Sequence, residues 1–516
     1  MIPFRYDRDT AVVSTPQGSV RGYITRDIFC FKGIPYARAR RFHAPEPAAP
    51  WQGVLDATSF GYVCPLLSMD KPSGELYVPH RFWPENEDCQ NLNLWTPGLD
   101  GEKRPVLVWL HGGGYTAGSA IEHIAYEGEN MARFGNAVVV TVNHRLNILG
   151  YLDLSAFGPE YENSGNAGGD DIIAALKWVK QNAAAFGGDP DNVTVFGQSG
   201  GGAKVTTLLQ TPAADGLYAK GYNMSGVIGP VLSDETQSGE ELVLAMMKRL
   251  RLKSVHALET VPYRRLADAY RALAPKFRAA GKYTGCRPHA NRHYLGDPRF
   301  HGFRKETARI PLLVGSVFGE FASFAPFPYA RETDDEAGLA VLKRHYGEEA
   351  LGDLPALFRA AYPERPLADL INLDTVFRLP EIDYLQKRSA LNACTWSYLF
   401  NQDMPVDGGR TPWHCADIPF VFHNTELAPY TQQEGMTEPL ESAIFEGVMA
   451  FARTGDPNHP GLPRWDPCRP EAENTLVLDA RPRVLVNYDH ALIPAAAALQ
   501  QAWYRRAAGA KLNIQH

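Results

Sequence analysis

The feature that most constrains this chain is one serine set in glycines, Gly197-Gln198-Ser199-Gly200-Gly201. An apolar, β-branched run over 193–196 precedes it and a helix-like run over 203–209 follows, so the sequence spells strand, tight turn and helix within residues 193–209. In such a turn the serine is strained, and side chains on its neighbours would collide with strand and helix. The geometry exists only where a sheet and a helix are already packed together. Further β-branched runs at 105–110, 137–142 and 311–314 alternate with amphipathic stretches such as 171–186, where Ile172, Leu176 and Val179 recur at helical spacing. Gly187-Gly188-Asp189-Pro190 stops that helix before the strand leading to Ser199. The expected class is α/β, with a mostly parallel central sheet and helices on both faces.

A second glycine cluster fixes the chemistry. His111-Gly112-Gly113-Gly114-Tyr115 follows the apolar run that ends at Leu110. Glycine amides can approach a carbonyl oxygen that becomes negative during acyl transfer, with no side chain in the way. Gly113, Gly114 and Gly200 are the candidate oxyanion-hole donors, each worth about 3 kcal/mol of transition-state stabilisation.

Size and charge narrow the remaining options. With 516 residues, 45% of them hydrophobic, the chain can bury one large core. No linker or repeat divides it, so residues 1–516 are expected to form one domain, with helical insertions around 234–308 and 331–366 over the sheet's catalytic edge. The 51 basic and 58 acidic side chains are scattered, giving a net charge of -7 and no footprint for nucleic acid or anionic lipid. No stretch of about eighteen apolar residues is present, so no membrane span is expected. Residues 1–8 lack a signal-peptide pattern. The compartment stays open between cytoplasm and secretion, as does the oligomeric state. The seven cysteines form no CxxC pair and no zinc-like spacing with histidine, and neither metal nor cofactor is expected.

At this point the chain closely resembles the type-B carboxylesterase and cholinesterase family, including bacterial para-nitrobenzyl-esterase-like members. The matching blocks span most of its length: Phe31-Lys32-Gly33-Ile34-Pro35-Tyr36-Ala37, Arg41-Phe42, Glu87-Asp88-Cys89-Gln90-Asn91-Leu92-Asn93, Asn143-His144-Arg145, Phe186-Gly187-Gly188-Asp189-Pro190, Trp413-His414, Asp417-Ile418-Pro419 and Thr454-Gly455-Asp456-Pro457-Asn458. The resemblance implies an α/β-hydrolase fold and a Ser-His-Glu triad: Ser199 as nucleophile, His414 as general base, and Glu320 in Gly315-Ser316-Val317-Phe318-Gly319-Glu320-Phe321 as the acid that orients the histidine. Gly319 and Phe321 depart from the usual residues around that acid. The order Ser199, Glu320, His414 is that of α/β-hydrolases.

The resemblance also implies a Cys64–Cys89 disulfide closing a loop that holds Tyr77 and Trp83, with two thiols in its place in a reducing compartment, a buried Glu87–Arg145 ion pair, and for Ser225 either a hydrogen bond behind the triad or a plain place at a strand end. Gln198 replaces the glutamate usual beside the nucleophile, which removes a charge near the histidine and any support for cationic substrates. Gly112 to Tyr115, Phe318, Phe321, Phe324 and Phe422 are expected to wall the pocket, which suits small to medium uncharged esters. The reaction expected is hydrolysis of a small-molecule carboxylic ester through an acyl-enzyme. The alternatives are a hydrolase of carbamates, amides or lipids with the same machinery, or a non-catalytic binding protein of the same fold.

Overall fold

The computed structural model describes residues 3–67, 80–228, 236–321, 334–406 and 409–512. A twelve-stranded sheet runs through them: β1 (Phe4–Arg5), β2 (Tyr23–Thr25), β3 (Ile28–Pro35), β4 (Asn91–Thr96), β5 (Arg104–Leu110), β6 (Val138–Val142), β7 (Gly188–Gln198), β8 (Lys220–Met224), β9 (Leu312–Val317), β10 (Thr395–Phe400), β11 (Asn474–Leu478) and β12 (Arg483–Val486). Their spatial order is β1-β2-β3-β4-β6-β5-β7-β8-β9-β10-β11-β12. From β6 to β11 every neighbouring pair is parallel; the antiparallel pairings lie at the two ends. This is the α/β-hydrolase architecture expected from the sequence.

Burial on both faces explains why the central strands are nearly all apolar. Along β5, Val106, Val108 and Leu110 point into one core while Leu107 and Trp109 point into the other. Val138, Val140 and Val142 of β6 alternate against Val139 in the same way. A strand covered on both sides has no solvent face to mark with polar residues. One core is closed by α1 (Ala167–Asn182), through Ile172, Leu176 and Val179, and by α2 (Gly200–Leu209), through Val205 and Leu209. The other is closed by Ile444, Val448 and Phe451 of the helix Thr437–Thr454. Gly187, at φ 76°, ends the turn after α1 as the sequence predicts.

Two helical segments build smaller cores of their own. The helices Glu240–Leu250 and Tyr263–Ala279 pack Leu242, Met246, Leu266 and Tyr270 against Ile148, Leu152 and Tyr161. The helices Asp335–Tyr346 and Leu354–Ala361 pack Leu342 and Phe358 against Phe318, Leu399 and Ile493.

Two expectations about pairing are corrected. Arg145 does not pair with Glu87. Its guanidinium grips Asp171 at the start of α1 through Nε (2.8 Å) and Nη2 (2.7 Å), and its remaining N–H groups donate to the carbonyls of Arg40, His43 and Ala167. Glu87 instead takes the guanidinium of Arg41. The physical reason is burial: the Asp171 carboxylate is fully enclosed, whereas Glu87 is about one-third exposed and meets an arginine nearer the surface. Cys64 and Cys89 are buried neighbours but free thiols, hydrogen-bonded to one another, and Cys64 Sγ also accepts the Leu146 N–H at 3.2 Å. The expected disulfide is not formed. Among the described residues no helix is long and apolar enough to cross a membrane.

Removing one partner of a buried pair leaves the other as an uncompensated charge. Asp171→Ala is therefore expected to lower unfolding stability by about 3–5 kcal/mol, measured by denaturant titration. A loss under 1 kcal/mol, typical of exposed pairs, would contradict this account of the Arg145 site.

Candidate active site

All the candidate groups lie at the carboxyl ends of parallel strands, the edge where α/β sheets place their ligands. Ser199 follows β7 with φ 58° and ψ -123°, and α2 starts at the next residue. This conformation is costly for any residue with a β-carbon and marks a site whose surroundings hold it in place. The glycines around it are required by contact. A β-carbon on Gly201 would lie 1.9 Å from the Leu110 carbonyl oxygen, and one on Gly200 would lie 2.1 Å from that of Gly114. The elbow and the His111–Gly114 loop are thus pressed backbone to backbone. A β-carbon on Gly112 would stand 3.4 Å from that of Ser199, so the loop runs beside the nucleophile. Gly113 and Gly114 both have positive φ, at 81° and 64°.

His414 and Glu320 lie in direct contact. Glu320, just beyond β9, is completely buried, and its Oε2 accepts a short hydrogen bond from Nδ1 of His414. Its Oε1 accepts from the Val317 N–H at 2.9 Å, and its own carbonyl accepts from the His414 N–H at 3.3 Å. Both carboxylate oxygens are engaged, so the His414 ring is aimed by a carboxylate that cannot itself turn. Phe377 stacks on the imidazole at 5.2 Å and Phe321 packs at 4.3 Å. Gln198, immediately before Ser199, brings its Nε2 to 3.3 Å from His414 Nε2. Glu320 and His414 thus meet directly, the residue before Ser199 reaches the same imidazole, and Gly112 and Gly114 lie against the elbow at Ser199 and Gly200.

Three more carboxyl groups lie close to Glu320, and burial raises all of them. Asp374 and Asp417 are each pushed up to about 7 and Glu381 to about 8, first by desolvation; the charge of Glu320 also raises each. Hydrogen bonds and charge oppose the desolvation, and Asp374 accepts the N–H groups of Val376, Phe377 and Arg378. Tyr398 donates to Asp417 Oδ2 at 2.8 Å, and Arg378 pairs with Glu381 at 3.1 Å. On the other side of the site, burial pushes Lys204 of α2 down to about 7, and its Nζ donates to the His111 carbonyl at 3.0 Å. Desolvation and the nearby Lys204 hold His111 and His144, stacked at 4.7 Å, well below the usual histidine range. Neither imidazole is poised to carry charge.

Several expected wall residues stand elsewhere. Phe422 is buried among Trp109, Tyr126 and Phe196, because it ends a short helix whose apolar side faces the sheet. Phe318 points behind the acid into the core of Phe358 and Tyr362, with Arg365 over its ring at 3.8 Å. Of the expected phenylalanines, Phe321 is about half exposed against His414 and does stand at the site. Phe324 and Tyr77 lie outside the described residues. Ser225 Oγ is buried without a hydrogen-bond partner, so the expected bond behind the triad is not made. Trp83 packs edge-on against Phe60, whose ring face is held by Lys32 Nζ at 4.2 Å. Sequence reading missed Lys204, Phe377 and Cys415: a lysine on a helix reads as solvated, and the other two reach His414 or Gln198 only through the fold. Among the described residues no cluster of three or more His, Cys, Asp or Glu groups is arranged to hold a metal.

Comparison with known proteins identifies the family. The family model described as the carboxylesterase family matches residues 9–493. Para-nitrobenzyl esterase of Bacillus subtilis (strain 168) is 33% identical over 485 residues, covering 91% of this chain and 95% of its own. Among solved structures, an esterase from anaerobic Clostridium hathewayi, described as able to hydrolyse aliphatic aromatic polyesters, superposes with a TM-score of 0.93. It is 47% identical, over 97% of this chain and 100% of that one. A carboxylesterase of Geobacillus stearothermophilus superposes with a TM-score of 0.73 at 32% identity, over 94% of this chain and 100% of that one. With this match over nearly its whole length, the chain belongs to the carboxylesterase family, and it is a carboxylic-ester hydrolase.

Proposed function

We propose that the protein hydrolyses uncharged carboxylic esters by two-step acyl transfer, with Ser199 as nucleophile, His414 as general base and Glu320 as its orienting acid. The observation that carries this reading is the buried contact between Glu320 and His414 Nδ1, which leaves Nε2 as the nitrogen to exchange protons at the elbow. His414 Nε2 takes the proton of Ser199 Oγ as that oxygen attacks the ester carbonyl. The N–H groups of Gly113, Gly114 and Gly200 receive the oxyanion. The imidazolium then protonates the departing alcohol, water enters, and the same nitrogen deprotonates it as it attacks the acyl-enzyme. Glu320 stabilises the imidazolium throughout. Because burial raises Asp374 and Asp417 to about 7 and Glu381 to about 8, these neighbours add less negative charge around the Glu320–His414 contact near neutrality than ordinary carboxylates would.

The half-exposed Phe321 beside His414 offers an aromatic wall for the acyl or alcohol group. The 47% identity to an esterase described as hydrolysing aliphatic aromatic polyesters favours aromatic ester units, polymeric ones included, as substrates. The helical segments of residues 240–279 and 335–361 are read as insertions on a single domain.

Ser199→Ala is expected to fold normally and to lose turnover of p-nitrophenyl butyrate by about 10⁴-fold or more, together with release of soluble aromatic acid from aliphatic aromatic polyester film. Undiminished turnover in the folded variant would overturn the mechanism.

The protonated carboxyls predict a pH dependence. A carboxyl whose folded value is raised contributes stability that is fully present below about pH 4 and is lost as pH rises through its folded value, about 7 for Asp417. Asp417→Asn keeps the acceptor for Tyr398 but cannot ionise. Its thermal midpoint, relative to the unsubstituted protein, is expected to rise between pH 5 and pH 9, by at most about 3 kcal/mol in stability. A difference that stays flat across this range would show that Asp417 titrates as an ordinary carboxylate.

A further inference from the structure

Gln198 and Cys415 flank the two groups that exchange the proton, one before Ser199 and one after His414, and they touch each other. The Cys415 thiol donates to Gln198 Oε1 at 3.0 Å, and both side chains are buried. Gln198 Nε2 lies 3.3 Å from His414 Nε2 and 3.4 Å from Nδ1. Two nearly equal distances to the two ring nitrogens place the amide over the face of the imidazole, since an in-plane approach equidistant from both would collide with Cε1. The in-plane lone pair of Nε2 points away from the amide, whose N–H rests on the π face, a weak contact that orients more than it binds. Cys415 holds its place at φ 75°, a conformation that suits glycine and strains any residue with a β-carbon. The side chain gained at that strained position is the one that holds the amide.

We propose that Gln198 and Cys415 are a pair of positioning residues: the thiol fixes which end of the amide faces inward, and the amide presses the His414 ring into its packing with Phe377 and Phe321. This rests on the reading of His414 as general base. Because Oε1 is engaged by the thiol, the ring meets the electropositive N–H side of the amide. The usual glutamate of the family would present a negative oxygen instead. The other charged or titratable groups facing this assembly are Glu320 at Nδ1, Asp417 three residues along the same loop, and Asp374, Arg378 and Glu381 behind Glu320. None of them lies between the amide and the ring.

The test is the pH profile of kcat/KM for p-nitrophenyl acetate in the full-length protein, Cys415→Gly and Gln198→Glu. Glycine suits φ 75°, so Cys415→Gly should fold at least as stably as the parent, which a thermal melt checks. Freed from the thiol, the amide can turn its oxygen toward the imidazolium, and the acid limb is expected to move up by about half a pH unit. In Gln198→Glu a carboxylate faces the imidazolium directly, and the limb should move up by about one unit or more. A role in packing alone would change kcat/KM without moving the limb. Acid limbs of both folded variants that coincide with the parent's would overturn the proposal while leaving the esterase reading intact. A parent enzyme with no measurable ester hydrolysis would remove both.

Discussion

The structure depends on the close approach of the Ser199 elbow to the loop leaving β5. Gly197, Gly200 and Gly201 let the backbone of β7 and α2 press against Leu110 and Gly114, at distances where a single β-carbon would overlap a carbonyl oxygen. That contact fixes the serine beside the glycine amides proposed to receive the oxyanion. It needs β5 and β7 to be adjacent and parallel, in the register that pairs Leu110 with Gly197. The doubly covered sheet, with its apolar strands and helices on both faces, is what holds two strained loops at one edge without relaxation.

A second theme is the management of charge away from water. Arg145 and Asp171 neutralise each other where the segment after β6 meets α1. Arg378 ties the helix Arg378–Leu391 to the β11 edge through Glu473 and Asp489, with Glu381 as a third partner. Close to these pairs lie Asp374, Glu381 and Asp417, whose carboxyls burial raises, and beside them Glu320 is in direct contact with His414. On the other flank, the buried Lys204 donates to the His111 carbonyl at the start of the glycine loop. Both halves of the site are thus anchored by polar groups that water does not reach.

What was legible in the sequence was what local chemistry dictates. The elbow glycines, the His111–Gly114 loop and the β-branched runs each impose a backbone shape on their own few residues, and the fold follows from combining them. The Glu320–His414 contact came from resemblance, and the structure places the two side chains together. What was not legible depends on distant packing. Asp171 is separated from Arg145 by a short helix and several turns and lies inside an amphipathic helix, where nothing distinguishes a buried aspartate from a solvated one. Phe318 and Phe422 were expected at the pocket, yet the turn after β9 and the short helix after His414 send them into the core. Cys64 and Cys89 are adjacent as expected, but adjacency does not decide between thiol and disulfide. The Cys415–Gln198 contact joins residues over two hundred positions apart and carries no pattern a reader of sequence could weigh.

The central claim is that Ser199 is an activated nucleophile served by His414. The most direct measurement is the intact mass of the protein after brief exposure to paraoxon, followed by peptide mapping. The account predicts one diethylphosphoryl group, located on Ser199 and absent from a folded His414→Ala variant. A folded parent protein that takes up no adduct, or takes it up equally without His414, would contradict it.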